Sequence, residues 1–337
     1  MRLFSLRHCH VAGMALVTLL AGQTVLAAEP ITIMVGGINK IIYLPARLTE
    51  QLGYFRDEGL EVTLLSEPAG VNAENEMLAG AVNAVVGFYD HTIDLQSKGK
   101  DVESIVQFAK VPGEVELVAA GEAAAIRSAA DFKGKTLGVT GLGSSTDFLT
   151  QYMAVKSGLK AGEYSLLPVG AGNTFIAAIQ QGRIAAGMTT DPTVTQMVTS
   201  GQARVLVDMR NEAGTVAALG GLYPAASLYA PTPWVNAHKA DVGKLAHAFV
   251  KTMRYINTHT AEEIAEKMPA DYYGGNKPLY VSALKASLPM FTADGRMPAG
   301  GPETVLKVLA TFKPTVKPAQ IDLSRTYTTS FVDAAAP

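Results

Sequence analysis

Three hydroxyl residues in a row, Ser144-Ser145-Thr146, follow Gly141-Leu142-Gly143 and open a stretch of helical periodicity. Glycines permit a tight turn, and hydroxyls at a helix start stand beside free backbone amides and the positive end of the helix dipole. Such a turn can hold a carboxylate, sulfonate or nitrate group without a full positive charge; the same residues also make an ordinary N-cap that binds nothing. The Gly-Lys-Ser/Thr of a phosphate-binding loop is absent. Elsewhere, Tyr43, Phe88 and Tyr89 offer flat apolar walls, and Asn39, Lys40 and His91 offer donors. Lys40 reads first as a solvated surface lysine, and His91 either donates to a ligand or packs at the start of its helix. Asp90 and Asp191 read as helix caps; facing a ligand, they would select an amine or a hydroxyl. There is no Gly-x-Ser-x-Gly elbow and no His-Glu-x-x-His, and His238, His247 and His259 are scattered through a helical region, so no nucleophile is matched with a base.

The elements that must position these groups alternate. Strand-like runs at Ile31–Val35, Glu61–Leu65, Ala84–Gly87, Ile105–Ala109 and Val115–Ala119 are interleaved with helical periodicity at Leu44–Gly53, Ala73–Gly80, Thr92–Lys98, Thr146–Ser157, Thr174–Gln181 and Pro192–Ser200. Alternation of this kind predicts parallel sheets with helices on both faces, and ligands outside the carboxyl ends of the strands. The pattern also repeats. Ile31–Val35 with its Gly turn and helix is echoed by Lys135–Val139, and Met77–Ala84 by Ile179–Ala186, at an offset of roughly 100 residues, which predicts two similar α/β lobes. After Asp208 the pattern changes: Ala226–Ala230 reads as a strand, Val235–Thr258 as one long helix, and Ala261–Lys267, Pro278–Ser287 and Glu303–Phe312 as further helices. The expected division is residues 29–112 and 215–337 in one discontinuous lobe and 113–214 in the other, with the chain crossing near Lys110–Gly113 and Arg210–Gly220. Two lobes joined in this way form a cleft that can close.

A length of 337 residues suits about two domains. Apolar types at 48%, charged types at 17% and 32 glycines fit a globular α/β chain and exclude a disordered or coiled-coil one. A net charge of −2 excludes a typical nucleic-acid binder. Residues 1–28 carry Arg2 and Arg7, an apolar run from Val11 to Leu20 and a small-residue end Val25-Leu26-Ala27-Ala28, the layout of a secretory signal peptide. Cys9 is the only cysteine, so cleavage after Ala27 or Ala28 leaves a chain with no disulfide, no thiol nucleophile and no Cys-ligated metal. Losing Arg2 and Arg7 leaves 26 basic residues against 30 acidic ones, a net charge of −4.

The run Pro45-Ala-Arg-Leu-Thr-Glu-Gln-Leu-Gly-Tyr-Phe-Arg-Asp-Glu-Gly-Leu-Glu-Val62 resembles the first helix and second strand of periplasmic solute-binding proteins of the nitrate/sulfonate/taurine group, also called thiamine-pyrimidine-precursor-like. Met77–Ala84, Asp131–Val139 with Ser144–Thr146, and Ala178–Ala186 followed by Asp191-Pro192 extend the resemblance over about residues 30–260. It implies a type II periplasmic-binding fold and delivery of a captured solute to the permease of an ABC importer in the inner membrane. By the same likeness the protein is a periplasmic monomer, not an enzyme, and uses no cofactor, metal or nucleic acid. The positions matching the ligand-lining turns are Asn39, Tyr43, Tyr89, His91, Ser144, Ser145, Thr146, Asn173, Thr190 and Asp191, to which Tyr223 is added. The bulky first turn, Gly36 to Tyr43, favours an organic anion, a sulfonate or an aromatic carboxylate, over nitrate or bicarbonate. Alternatives are a neutral pyrimidine-type ligand, a sensory receptor, or an enzyme on the same fold.

Overall fold

The computed structural model describes residues 30–335, and the expected signal peptide lies outside the described residues. Most strands feed a helix, as the alternation predicts. The first series is β1 (Ile31–Val35), α1 (Leu44–Gln51), β2 (Val62–Ser66), α2 (Gly70–Leu78), β3 (Ala84–Phe88), α3 (Asp90–Ser97) and β4 (Val102–Gln107). The second is β5 (Glu114–Ala119), β6 (Thr136–Val139), α4 (Ser145–Lys156), β7 (Ser165–Pro168), α5 (Asn173–Gln180), β8 (Ala186–Thr190), α6 (Thr193–Thr199) and β9 (Ala203–Asp208). The exceptions are β4, which runs on into β5, and β5, which reaches β6 through 3-10 turns. The chain then forms β10 (Ala226–Pro231) and a helical tail that includes α7 (Lys239–Thr258), α8 (Lys277–Ser287) and α9 (Gly301–Phe312).

Two five-stranded sheets result, in the orders β2-β1-β3-β10-β4 and β7-β6-β8-β5-β9. Within each, four strands run in the same direction, and the fourth in order runs antiparallel to both neighbours. The central strands β3 and β8 are buried along their whole length, as strands covered on both faces are; β3 is apolar throughout, while β8 ends on Thr189 and Thr190. The chain passes between the sheets twice, across residues 108–113 and 209–225.

Several boundaries differ from the sequence expectation. β4 starts at Val102, three residues early, and ends at Gln107. α2 and α3 begin at Gly70 and Asp90, ahead of the expected Ala73 and Thr92, because their first turns are set by close tertiary approach where no polar cap marks them. The predicted helix over Val235–Thr258 is broken at His238, whose ring stacks on Trp234 and whose Nδ1 lies 2.9 Å from the Trp234 carbonyl.

One hydrophobic cluster belongs to neither sheet alone. Tyr89 and Ile93 of the first series pack with Phe148, Leu149 and Tyr152 of α4 and with Val305, Val308 and Leu309 of α9. This cluster explains why α4 is buried on nearly every side although its own apolar face is poorly defined. Oil-like packing thus joins the two lobes along one stretch of their boundary; another stretch is lined largely by polar groups.

Candidate functional site

The polar stretch contains two spaces. The larger is a cleft of about 590 Å³ lined by Gly37–Lys40 and Ser66–Pro68 from the first lobe and by Gly170–Thr174 and Asp191–Gln196 residues from the second. Asp271, Tyr272 and Gly274 also line it. The smaller is an enclosed cavity of about 10 Å³, the space of one water. Lys40, Ile42, Tyr43 and Gly70 line it from one side, and Glu114, Thr140, Ser144, Ser145, Thr146 and Thr190 from the other. Both lie at the carboxyl ends of the strands, as the alternating pattern predicts.

Lys40 is common to both spaces, and it is not the solvated lysine that its position in a Gly-rich turn suggests. Its Nζ donates to the carbonyls of Gly36 at 2.7 Å and Pro68 at 3.0 Å. Burial pulls the amine down to about 8, against the opposing pull of the Glu114 carboxyl. The turns after β1 and β2 can meet here because they carry glycines. A Cβ on Gly36 would lie 2.8 Å from the Gly70 Cα, and one on Gly70 would lie 3.0 Å from the His91 Cε1.

Of the sequence-predicted residues, Asn39, Asn173 and Asp191 line the cleft. Tyr43, Ser144, Ser145, Thr146 and Thr190 line the cavity. Tyr89, His91 and Tyr223 line neither. The Tyr89 ring sits in the apolar interlobe cluster, with its hydroxyl on Thr326 and its edge against Tyr327, so it offers no wall to a ligand. His91 lies behind Gly70, with Nδ1 3.0 Å from Glu74 Oε2 and 3.2 Å from the Tyr229 hydroxyl. Burial opposes its protonation, but Glu74, Asp90 and Asp94 outweigh that and raise it. Tyr223 donates to Asp90 Oδ2 at 2.8 Å.

The three hydroxyls at the start of α4 are engaged within the protein. Ser144 donates to the Gly141 carbonyl at 2.6 Å, and Thr146 Oγ1 accepts from the Thr140 amide at 2.9 Å. Ser145 donates to Asp90 Oδ1 at 2.8 Å. A carboxylate of the first lobe therefore sits against the first turn of a helix of the second. Asp90 is not a helix cap here: it is a link between lobes. Its one ionic neighbour among the described residues is His91 Nε2 at 3.9 Å, and burial raises its carboxyl.

Asp191 does cap its helix, through Thr195 N at 2.9 Å, and it also crosses the boundary. Its carbonyl accepts from Ile41 N at 3.0 Å, and its Oδ2 accepts from Ser287 on α8 at 3.0 Å and from Arg210 at 2.9 Å. Sequence reasoning missed Arg210 as the counter-charge, since it sits in the second crossing, where spacing gives no hint of a partner. It also missed Glu114. Two acids at alternate positions of a strand read as a solvated face, yet β5 lies between β8 and β9 and both acids are buried.

This architecture is the periplasmic-binding-protein fold, and the chain belongs to the NMT1/THI5-like family, whose sequence profile matches residues 43–263. A solved protein from Bordetella bronchiseptica RB50 is 34% identical, with a TM-score of 0.88 over 91% of this chain and 96% of that one. The alkanesulfonate-binding protein SsuA of Xanthomonas axonopodis pv. citri, solved with MOPS bound, is 18% identical, with a TM-score of 0.70 over 89% of this chain and 98% of its own. The periplasmic nitrate-binding protein NrtA of Synechocystis PCC 6803 is 12% identical, with a TM-score of 0.71 over 91% and 88%. No curated protein sequence matches the chain. Among the described residues no helix is long and apolar enough to cross a membrane.

Proposed function

We propose that the protein is an extracytoplasmic solute-binding protein: it captures a small organic molecule between its lobes and presents it, as a monomer in the periplasm, to the permease of an ABC importer. The observation that carries this reading is the pairing of an enclosed polar cavity with a larger cleft, both at the strand ends and both lined from the two sheets. The segments 108–113 and 209–225 act as the hinge between a discontinuous first lobe and a continuous second one.

Two ligand chemistries draw on different residues. An organic anion, sulfonate or carboxylate, is supported by the Lys40 amine, by the α4 N-terminus and by the names of the sulfonate- and nitrate-binding neighbours. A ligand rich in N–H donors, such as a neutral pyrimidine, is supported by the buried carboxyls of Asp90 and Glu114 at the same boundary.

In either case the ligand binds the closed form preferentially and stabilises it. The test is to identify by mass spectrometry what co-purifies, strip it, and add it back. A higher melting temperature and a smaller radius of gyration in small-angle scattering are expected. A ligand that changes neither removes the closing-cleft reading.

A further inference from the structure

Glu114 sits where the two crossings meet the boundary between the lobes. It opens β5 directly after the first crossing, and its carbonyl accepts from the Met209 amide of the second at 3.0 Å. Its side chain lines the enclosed cavity, and the residue is 2% exposed. One wall of that cavity is the first lobe: Lys40, Ile42, Tyr43 and Gly70. Ile42 packs so near the hinge that a Cβ on Gly113 would lie 2.7 Å from its Cγ2. The space left, about 10 Å³, admits one water. A carboxylate presents about four acceptor sites, so one water cannot hydrate it, and among the described residues Oε2 has no hydrogen-bond partner.

The charged and titratable groups around Glu114 pull in both directions. Lys40 favours a carboxylate, but two of its three N–H groups are held by the Gly36 and Pro68 carbonyls. The first turn of α4 acts in the same sense. Against a carboxylate stand burial, Asp90 of the first lobe and Glu116 two residues along β5. Tyr43 and Tyr223, which also face this charge, are kept neutral by their own burial. Asp191 and Asp208, at the ends of the flanking strands, are paired with Arg210. Burial dominates and holds the Glu114 carboxyl well above its ordinary 4.5.

Parting the lobes lifts one wall of the cavity and lets water reach that carboxyl; shutting them removes the water again. We propose that Glu114 couples closure of the lobes to one proton: its carboxylate, hydrated while the lobes are apart, takes a proton from solvent as Lys40, Tyr43 and Gly70 close over it, and returns it when they open. The proposal rests on the closing-cleft reading and adds that solute capture tightens as the medium acidifies. Glu116 is the contrast. It lines neither space, and its Oε2 accepts from Thr150 of the same lobe at 3.3 Å, so its titration follows folding and not closure.

A proton held only by the closed form favours closure at low pH. That advantage is lost as pH rises above 4.5 toward the raised value, at up to about ten-fold per pH unit. Lys40, pulled down to about 8, remains largely charged up to pH ~7.5.

The Ile41 amide donates to the Asp191 carbonyl across the boundary, so its hydrogen exchange reports the closed form. The test is its protection factor, measured by NMR in the purified, ligand-stripped full chain at three pH values from about 5.5 to about 7.5. Wild type, Glu114→Gln, Glu114→Met and Glu116→Gln are compared, with the amides of β3 as the folding control; where one Glu114 variant fails that control, the other decides. Wild type and Glu116→Gln are expected to lose about ten-fold or more in protection across the range, and the Glu114 variants less than about two-fold. Protection that is flat in the wild type, or that falls equally in the Glu114 variants, overturns the coupling. Either result leaves solute binding standing, because the co-purified molecule tests it separately. No co-purified molecule, with the Glu114-dependent profile intact, removes the solute-binding reading and keeps the coupling.

Discussion

Laid over one another by register, the two sheets match closely. Phe88 of β3 faces Ala226 as Thr190 of β8 faces Glu114, and the antiparallel strand in each has its irregularity at the same place, between Leu228 and Tyr229 and between Glu116 and Leu117. The side chains on that shared frame differ. Where the first lobe has Ala226 and Leu228, the second has Glu114 and Glu116. The aspartates after the third strand differ in the reverse sense: Asp191 of the second lobe is held by Arg210, while Asp90 of the first is held by hydroxyls. One backbone plan thus carries an acid paired with an arginine in the second lobe and one held only by hydroxyls in the first, with two further buried acids, Glu114 and Glu116, in the second. The duplication builds the cleft, and the differences give it polarity.

Arg210→Ala should break this contrast most severely. It leaves Asp191 as an unpaired buried charge and should cost about 3–5 kcal/mol in urea unfolding. A loss no larger than that of an average surface substitution would mean that Arg210 does not neutralise Asp191.

The next effect is a dependence on pH. Burial raises the Glu116 carboxyl from its ordinary 4.5 to about 8, with the Thr150 hydroxyl opposing. Between those values the folded chain keeps a proton that the unfolded chain has lost, so stability should fall as pH rises across that window, at up to about 1.4 kcal/mol per pH unit for one group. Asp90 and Glu114, also raised by burial, act in the same direction. Glu116→Gln should make the fall shallower; an unchanged slope in denaturant titrations at several pH values would assign it to other groups.

Smaller still are the two serine links. Ser145→Ala removes one of the two hydroxyl donors of Asp90 and should cost about 1–3 kcal/mol, with a shift toward a larger radius of gyration in scattering. Ser287→Ala should cost about 1 kcal/mol or less, because Asp191 keeps Arg210 and Thr195. Equal losses would erase the difference between the aspartates.

Much of the frame was legible in the sequence because it is periodic. The echo of Ile31–Val35 in Lys135–Val139 marks β1 and β6, which hold the same place in their sheets, and the equivalence of Asp90 and Asp191 is visible from the turns that follow β3 and β8. Chemistry at the boundary was less legible, since it depends on pairs distant in the chain. Nothing near Lys40 announces that the Pro68 carbonyl will accept its hydrogen bond, and nothing near Asp90 points to Ser145 or Tyr223. Glu114 was hidden for another reason: alternation of polar and apolar residues tells how a strand's faces differ, not whether the polar face meets water.

The apolar cluster that joins α3, α4 and α9 also sets an order of events. Pulling those helices apart would expose oil at about 25 cal/mol per Å², or about 2.5 kcal/mol for each hundred square ångströms, while the polar stretch can rehydrate. On the closing-cleft reading the lobes part along the cleft and stay together along the cluster, like a book held by its spine. Asn39 and Asn173 line the larger cleft and Glu114 the smaller cavity, with Lys40 common to both.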